Sequence, residues 1–120
     1  MARILVAEDE ASLAELVKVT LAGDGHEVVV AEDGRYALTA MMDERFDLVV
    51  LDLMMPWADG FEVLKNMGPG RPKIVVLTAR DDDYTKRRAE ELDVDAYLVK
   101  PYDPAALSAT VDRLLRDASG

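Results

Sequence analysis

Leu48-Val49-Val50-Leu51-Asp52-Leu53-Met54-Met55-Pro56 is the stretch on which the fold turns. Four apolar residues stand in an unbroken row, and a carboxylate follows at once. A strand with one wet face alternates apolar and polar residues, so a continuous run suits a strand covered on both faces of a parallel sheet. Four more runs of this kind lie outward from it: Ile4-Leu5-Val6-Ala7, Val28-Val29-Val30-Ala31, Ile74-Val75-Val76-Leu77 and Tyr97-Leu98-Val99.

Helical patterns separate the runs. Leu13, Leu16, Val17 and Leu21 form the first apolar stripe, with Ser12 and Glu15 spaced as a capping box at its start. Ala37, Leu38, Met41 and Met42 form the second, and Phe61, Leu64 and Met67 the third. A fourth segment, from about Tyr84 to Leu92, is mostly charged and carries the weakest helical signal. The fifth places Asp103 as N-cap and Pro104 at the first helical position, then turns Leu107, Val111, Leu114 and Leu115 inward. Alternating strands and helices predict one α/β domain, a (βα)5 three-layer sandwich with helices on both faces of a parallel five-stranded sheet.

Composition excludes several classes. Among 120 residues, 24 acidic and 14 basic side chains give a formal charge of −10. Such acidity disfavours binding to a phosphate backbone, which needs clustered Lys and Arg. The apolar runs are strand-sized, well short of the roughly 20 residues of a membrane span. The start, Met1-Ala2-Arg3-Ile4-Leu5-Val6, lacks the pattern of a signal peptide. No cysteine is present, so neither a disulfide framework nor a thiolate metal site is available. The expectation is a cytoplasmic domain that touches neither membrane nor nucleic acid.

The polar residues that follow the strands carry the chemistry. Strand one runs into Glu8-Asp9-Glu10, strand three into Asp52, strand four ends in Thr78, and strand five runs into Lys100-Pro101. In an open parallel sheet these ends share one edge, where ligands bind. Taken singly, each residue has an ordinary explanation as a helix cap, a strand threonine or a surface cation. Together, converging carboxylates repel unless something positive joins them. A hard divalent cation with oxygen ligands, together with Lys100, resolves that repulsion. Glu8 and Asp9 would then hold the metal, Asp52 would be the nucleophile toward a phosphoryl group, and Thr78 and Lys100 would bind the transferred oxygens. The single histidine, His26, precedes strand two at the far edge and reads as a surface residue.

Four segments in register resemble the receiver domains of two-component response regulators, the chemotaxis-receiver-like family. They are Ile4-Leu5-Val6-Ala7-Glu8-Asp9-Glu10, then Asp47-Leu48-Val49-Val50-Leu51-Asp52-Leu53-Met54-Met55-Pro56 with Asp59-Gly60, then Leu77-Thr78-Ala79, and Tyr97-Leu98-Val99-Lys100-Pro101. The resemblance implies a flavodoxin-like strand order of 2-1-3-4-5. It implies phosphorylation of Asp52 by a sensor histidine kinase or phosphotransfer protein. It implies Mg2+ (or Mn2+) held by Glu8 or Asp9, by Asp52 and by the backbone carbonyl of Met54. It also implies a Thr78–Tyr97 switch pair, a cis Lys100–Pro101 bond, and output through the helix 4–strand 5–helix 5 face to an effector or a fused output domain. The domain would catalyse only its own phosphorylation and dephosphorylation.

Departures from the family pattern sharpen these expectations. Glu8 replaces the usual Asp, with a longer arm. Asp93 stands where similar chains carry Gly, at a turn that calls for positive φ. Trp57 reads as an exposed loop aromatic. Met54 and Arg80 flank the water path in similar proteins, and neither offers an acceptor to orient water, so a long-lived phosphorylated state is expected. Where similar winged-helix-class receivers carry charged dimer residues, this chain has Ala96, Ala106, Thr110 and Asp112, with only Lys86 kept. A monomer is the expectation. Residues 1–120 read as one receiver domain with no output domain.

Two other classes compete. A haloacid-dehalogenase-type phosphohydrolase also uses an Asp after a strand, but it expects a second Asp where Met54 stands. A flavodoxin-like binding module needs a Gly- or Ser-rich phosphate loop after strand one, where Glu8-Asp9-Glu10 would repel phosphate. Retained label on Asp52 without turnover of a phosphate ester separates the first from a switch; bound flavin absorbance would reveal the second.

Overall fold

A computed structural model of the protein describes residues 2–55, 60–68 and 70–119. Its elements run β1 (Arg3–Ala7), α1 (Ala11–Gly23), β2 (Glu27–Ala31), α2 (Gly34–Asp43), β3 (Leu48–Leu51), α3 (Gly60–Lys65), β4 (Lys73–Thr78), α4 (Asp83–Glu91), β5 (Ala96–Val99) and α5 (Pro104–Ser119). All neighbouring strands pair parallel, in the order β2-β1-β3-β4-β5. This is the flavodoxin-like order that the family resemblance implied.

The period of two along each strand splits every apolar run between two cores. Ile4, Val6, Leu48, Val50, Val75 and Leu77 pack with Val17 and Leu21 of α1 and with Leu107, Val111 and Leu114 of α5. Leu5, Val49, Leu51, Ile74 and Val76 pack with Ala37, Phe61, Val63, Leu64 and Ala89, so α2, α3 and α4 cover the other face. The continuous runs are thus explained for β1, β3 and β4. The edge strands β2 and β5 are only partly covered, although their runs look the same in sequence.

Several local expectations are corrected. The capping box at Ser12 does not form. The helix starts at Ala11 with Glu10 at the N-cap and no side-chain cap, and Ser12 Oγ donates to Glu10 Oε1 at 3.3 Å. The cause lies in Glu8, whose Oε2 accepts the Glu10 N–H at 3.0 Å and fixes that residue in an extended conformation. Leu16 is 49% exposed and Met42 is 85% exposed, so neither belongs to an inward stripe. Ala14, Val17 and Leu21 make the buried face of α1 instead. His26 is partly buried rather than free on the surface, and its Nδ1 accepts the Ala2 N–H at 3.1 Å.

Other expectations stand. Asp103 accepts the Ala105 N–H at 3.0 Å ahead of Pro104, the expected cap of α5. The Lys100–Pro101 bond is cis and Asp93 has φ +61°. Arg71 Nη2 donates to the carbonyls of Leu92 and Asp93, closing the α4–β5 turn around that left-handed residue. The charged fourth segment is a helix, but among the described residues it buries only Thr85 and Ala89. Trp57 and Asp59 lie outside the described residues.

Candidate functional site

Strand register assembles the site. Ala7 pairs with Leu51, and the Asp52 N–H donates to the Ala7 carbonyl at 3.0 Å, so Glu8 and Asp52 leave adjacent strands side by side. Thr78 pairs with Val99, and the Lys100 N–H donates to the Thr78 carbonyl at 2.8 Å. The same edge therefore receives Glu8, Asp52, Thr78 and Lys100. Gly60 at the start of α3 lets that helix close on the residues after β3. A Cβ there would meet Leu53 Cα at 2.6 Å and the Asp52 carbonyl oxygen at 2.8 Å, so only glycine fits.

Glu8 and Asp52 are both buried, whereas Asp9 is exposed. Lys100 Nζ lies 2.6 Å from Glu8 Oε1 and 2.9 Å from Asp52 Oδ2, tying the two carboxylates together. The remaining oxygens are also occupied: Glu8 Oε2 by the Glu10 N–H, and Asp52 Oδ1 by the Met54 N–H at 3.0 Å. Burial pushes the Glu8 carboxyl up, and the nearby Asp52 charge adds to this; Lys100 and the Glu10 amide oppose it without cancelling it. Burial alone would lower Lys100, but its bonds to Glu8 and Asp52 outweigh that and hold the ammonium above its ordinary value. One ammonium thus bridges two buried carboxylates, with the exposed Asp9 carboxylate beside them.

The donor set suits a hard cation. Glu8, Asp9 and Asp52 each offer a carboxylate oxygen, and these oxygens lie within 4.8 Å of one another. Oxygen-only ligands favour Mg2+ or Mn2+ over softer metals.

A second cluster sits on the β4–β5 side of the edge. Thr78 is fully buried, and its Oγ1 accepts the Arg80 N–H at 3.4 Å. The Tyr97 hydroxyl donates to the Arg80 carbonyl at 2.7 Å. Partial burial of the Tyr97 ring, then the negative charge of Asp82, push its phenol up. Arg80 Nε donates to Asp82 Oδ1 at 2.9 Å. Asp82 is the N-cap of α4, and its Oδ2 accepts from the Thr85 N–H at 2.9 Å and from the Thr85 hydroxyl at 2.7 Å. Those two bonds to Thr85, with the Arg80 contact, hold the Asp82 carboxyl well below the usual carboxylate range.

The structure therefore brings Glu8, Asp9, Asp52 and Lys100 together. Thr78 shares their edge. Tyr97 stands apart from the carboxylates, against the Arg80 backbone. Asp9, Met54 and Arg80 line one cleft of about 560 Å3 with Tyr84, Thr85 and Arg88. Met54 is 53% exposed beside it, and its amide is the group bonded to Asp52. Asp82 was missed in the sequence. The available signal was an Asp three residues ahead of Thr85 at the start of a charged helix.

Comparison with known proteins follows the same lines. Residues 4–112 match the family model described as the response regulator receiver domain. The chain is 39% identical over 116 residues to the alkaline phosphatase synthesis transcriptional regulatory protein PhoP of Bacillus subtilis, covering 95% of this chain and 48% of that protein. It is 43% identical over 116 residues to the DNA-binding response regulator MtrA of Mycobacterium tuberculosis, covering 95% of this chain and 50% of that protein. It spans about half the length of these curated relatives. Among solved structures, the Vibrio cholerae chemotaxis protein CheY4 superposes with a TM-score of 0.84 at 32% identity, covering 95% of this chain and 98% of that one.

Proposed function

This chain belongs to the response regulator receiver family of two-component systems, and on that footing we propose that it is a phosphorylation-activated switch with Asp52 as acceptor. The observation that carries the reading is the Lys100 ammonium bridging two buried carboxylates beside the exposed Asp9. An Asp52 oxygen attacks the phosphorus of a phosphohistidine on a sensor kinase or phosphotransfer protein. The P–N bond breaks, the imidazole leaves, and an aspartyl phosphate forms. Lys100 neutralises the incoming oxygens, and the Thr78 hydroxyl donates to one of them. Glu8, Asp9, Asp52 and the Met54 carbonyl would hold Mg2+ or Mn2+, which supplies charge neutralisation at the phosphoryl oxygens. The domain performs this transfer on itself and later loses the group to water, which regenerates the Asp52 carboxylate and releases inorganic phosphate. It signals through the α4–β5–α5 face to an effector or output domain.

Asp52→Asn tests the acceptor. It removes the nucleophile and one charge from an acidic cluster, so phosphoryl uptake from acetyl phosphate is lost while thermal stability holds or rises. Undiminished acid-labile phosphate in the variant would identify a different nucleophile.

The same reading covers lifetime and assembly. Met54 has an apolar side chain and Arg80 has donors only, so neither orients a water toward the phosphorus. The phosphorylated state is expected to persist for minutes or longer, and Met54→Asn/Arg80→Glu to lose phosphate faster with Mg2+ present. Equal rates would remove these side chains from the water path. On the α4–β5–α5 face, Thr110 donates to the Ala106 carbonyl, Asp112 pairs with Arg116, and Lys86 pairs with Asp81. These intrachain pairs, with Ala96 and Ala106 uncharged, support the proposed monomer. A tight dimer of the beryllofluoride-loaded protein in light scattering would overturn it.

A further inference from the structure

Arg80 occupies a node. Its N–H reaches the Thr78 hydroxyl oxygen, its carbonyl accepts from the Tyr97 hydroxyl, and its guanidinium is bonded to Asp82. One residue thereby touches both members of the proposed switch pair and the cap of α4. That helix depends on its ends. Among the described residues it buries only Thr85 and Ala89, and Thr85 is the residue that Asp82 holds twice. At the other end, the α4–β5 turn is fastened by Arg71. Any force that disturbs Asp82 therefore acts on the first turn of α4, while the last turn stays anchored.

Arg80 also lines the cleft that contains Asp9 and Met54, beside the acceptor site. The Arg80–Asp82 pair is about half exposed, so water screens it and it is weakly held. A phosphoryl group adds roughly −1.5 to −2 charges and three strong acceptor oxygens. Guanidinium pairs with phosphate oxygens through planar, charge-assisted hydrogen bonds.

We propose that Arg80 is a positioning residue that exchanges partners on phosphorylation, leaving Asp82 for the Asp52 phosphoryl group and so loosening the first turn of α4. This rests on Asp52 as acceptor and adds a second route from that site to the α4 surface, through a side chain rather than through the Thr78–Tyr97 pair. The capping bonds from Thr85 to Asp82 remain, but Asp82 loses the cation that orients it. The first turn then opens more often, and the Arg71 end does not.

Amide hydrogen exchange at Thr85 and Lys86, with and without beryllofluoride and Mg2+, tests this in the intact chain. In the unsubstituted protein, loading should speed exchange at these amides about threefold, the factor that one exposed ion pair is worth, and leave Leu92 unchanged. In Arg80→Ala the same amides should exchange faster before loading and show no further step. Arg80→Lys, which keeps the charge, should restore part of the step. A purely structural role would raise the basal rate and leave the step intact. An equal step in the protein and in Arg80→Ala overturns the relay. Phosphoryl uptake from acetyl phosphate, measured on the same samples, separates the two levels: uptake without an Arg80-dependent step overturns the relay alone, and no uptake by the unsubstituted protein overturns the acceptor reading beneath it.

Discussion

The two halves of the sheet's functional edge are built by different means. The Glu8–Asp52–Lys100 corner rests on β1 and β3, buried on both faces beyond Arg3, with Lys100 reaching in from the end of β5. Every oxygen of its two buried carboxylates has a partner. The Thr78–Arg80–Asp82–Tyr97 cluster runs from β4 and β5 to the first turn of α4, a helix with little apolar surface. Arg80 is joined to Thr78, Tyr97 and Asp82 by one hydrogen bond each, the last within an exposed ion pair. The difference teaches where rigidity is needed. Phosphoryl transfer asks for fixed donors and acceptors, whereas a readout must have two arrangements of nearly equal energy.

The comparison breaks most readily at Lys100. Lys100→Met leaves Glu8 and Asp52 buried without their shared cation, so unfolding free energy should fall by about 3 kcal/mol at neutral pH. Denaturant unfolding measures it, and a loss near zero would mean that the corner is well hydrated and not rigid. Added Mg2+ sharpens the contrast from the other side. At ten times its Kd, a cation bound to the native cluster and not to the unfolded chain adds about 1.4 kcal/mol. A thermal shift at tens of millimolar Mg2+ that disappears in Asp52→Asn is expected, with Trp57 fluorescence as a second readout; no shift in the unsubstituted protein contradicts the metal site. The smallest effect lies at the far end of α4. Asp93→Gly relieves a left-handed backbone and should raise stability by at most about 1 kcal/mol, without altering phosphoryl uptake. A destabilised Asp93→Gly protein would show that the Asp side chain contributes something glycine cannot replace.

Legibility follows the same division. The strands were readable because a double-faced sheet forces unbroken apolar runs, and the corner was readable because its residues directly follow strands whose register is parallel. Helix faces were less readable. Leu16 and Val17 are adjacent and both apolar, yet close packing of α1 admits Ala14 and turns Leu16 outward. The start of α1 escaped notice because a tertiary contact, Glu8 to the Glu10 amide, sets it in place of a local cap. Only the family resemblance pointed to Arg80, and its bond to Asp82 depends on the loop conformation between β4 and α4.

Acyl-phosphate mapping puts the central claim to the most direct test. The protein is incubated with acetyl phosphate and Mg2+, reduced with borohydride to convert aspartyl phosphate to homoserine, and digested for mass spectrometry. Homoserine at position 52, and at no other aspartate, is the expected result. An unmodified Asp52, or homoserine at Asp9 instead, would contradict the assignment of the buried, Lys100-bonded carboxylate as the acceptor.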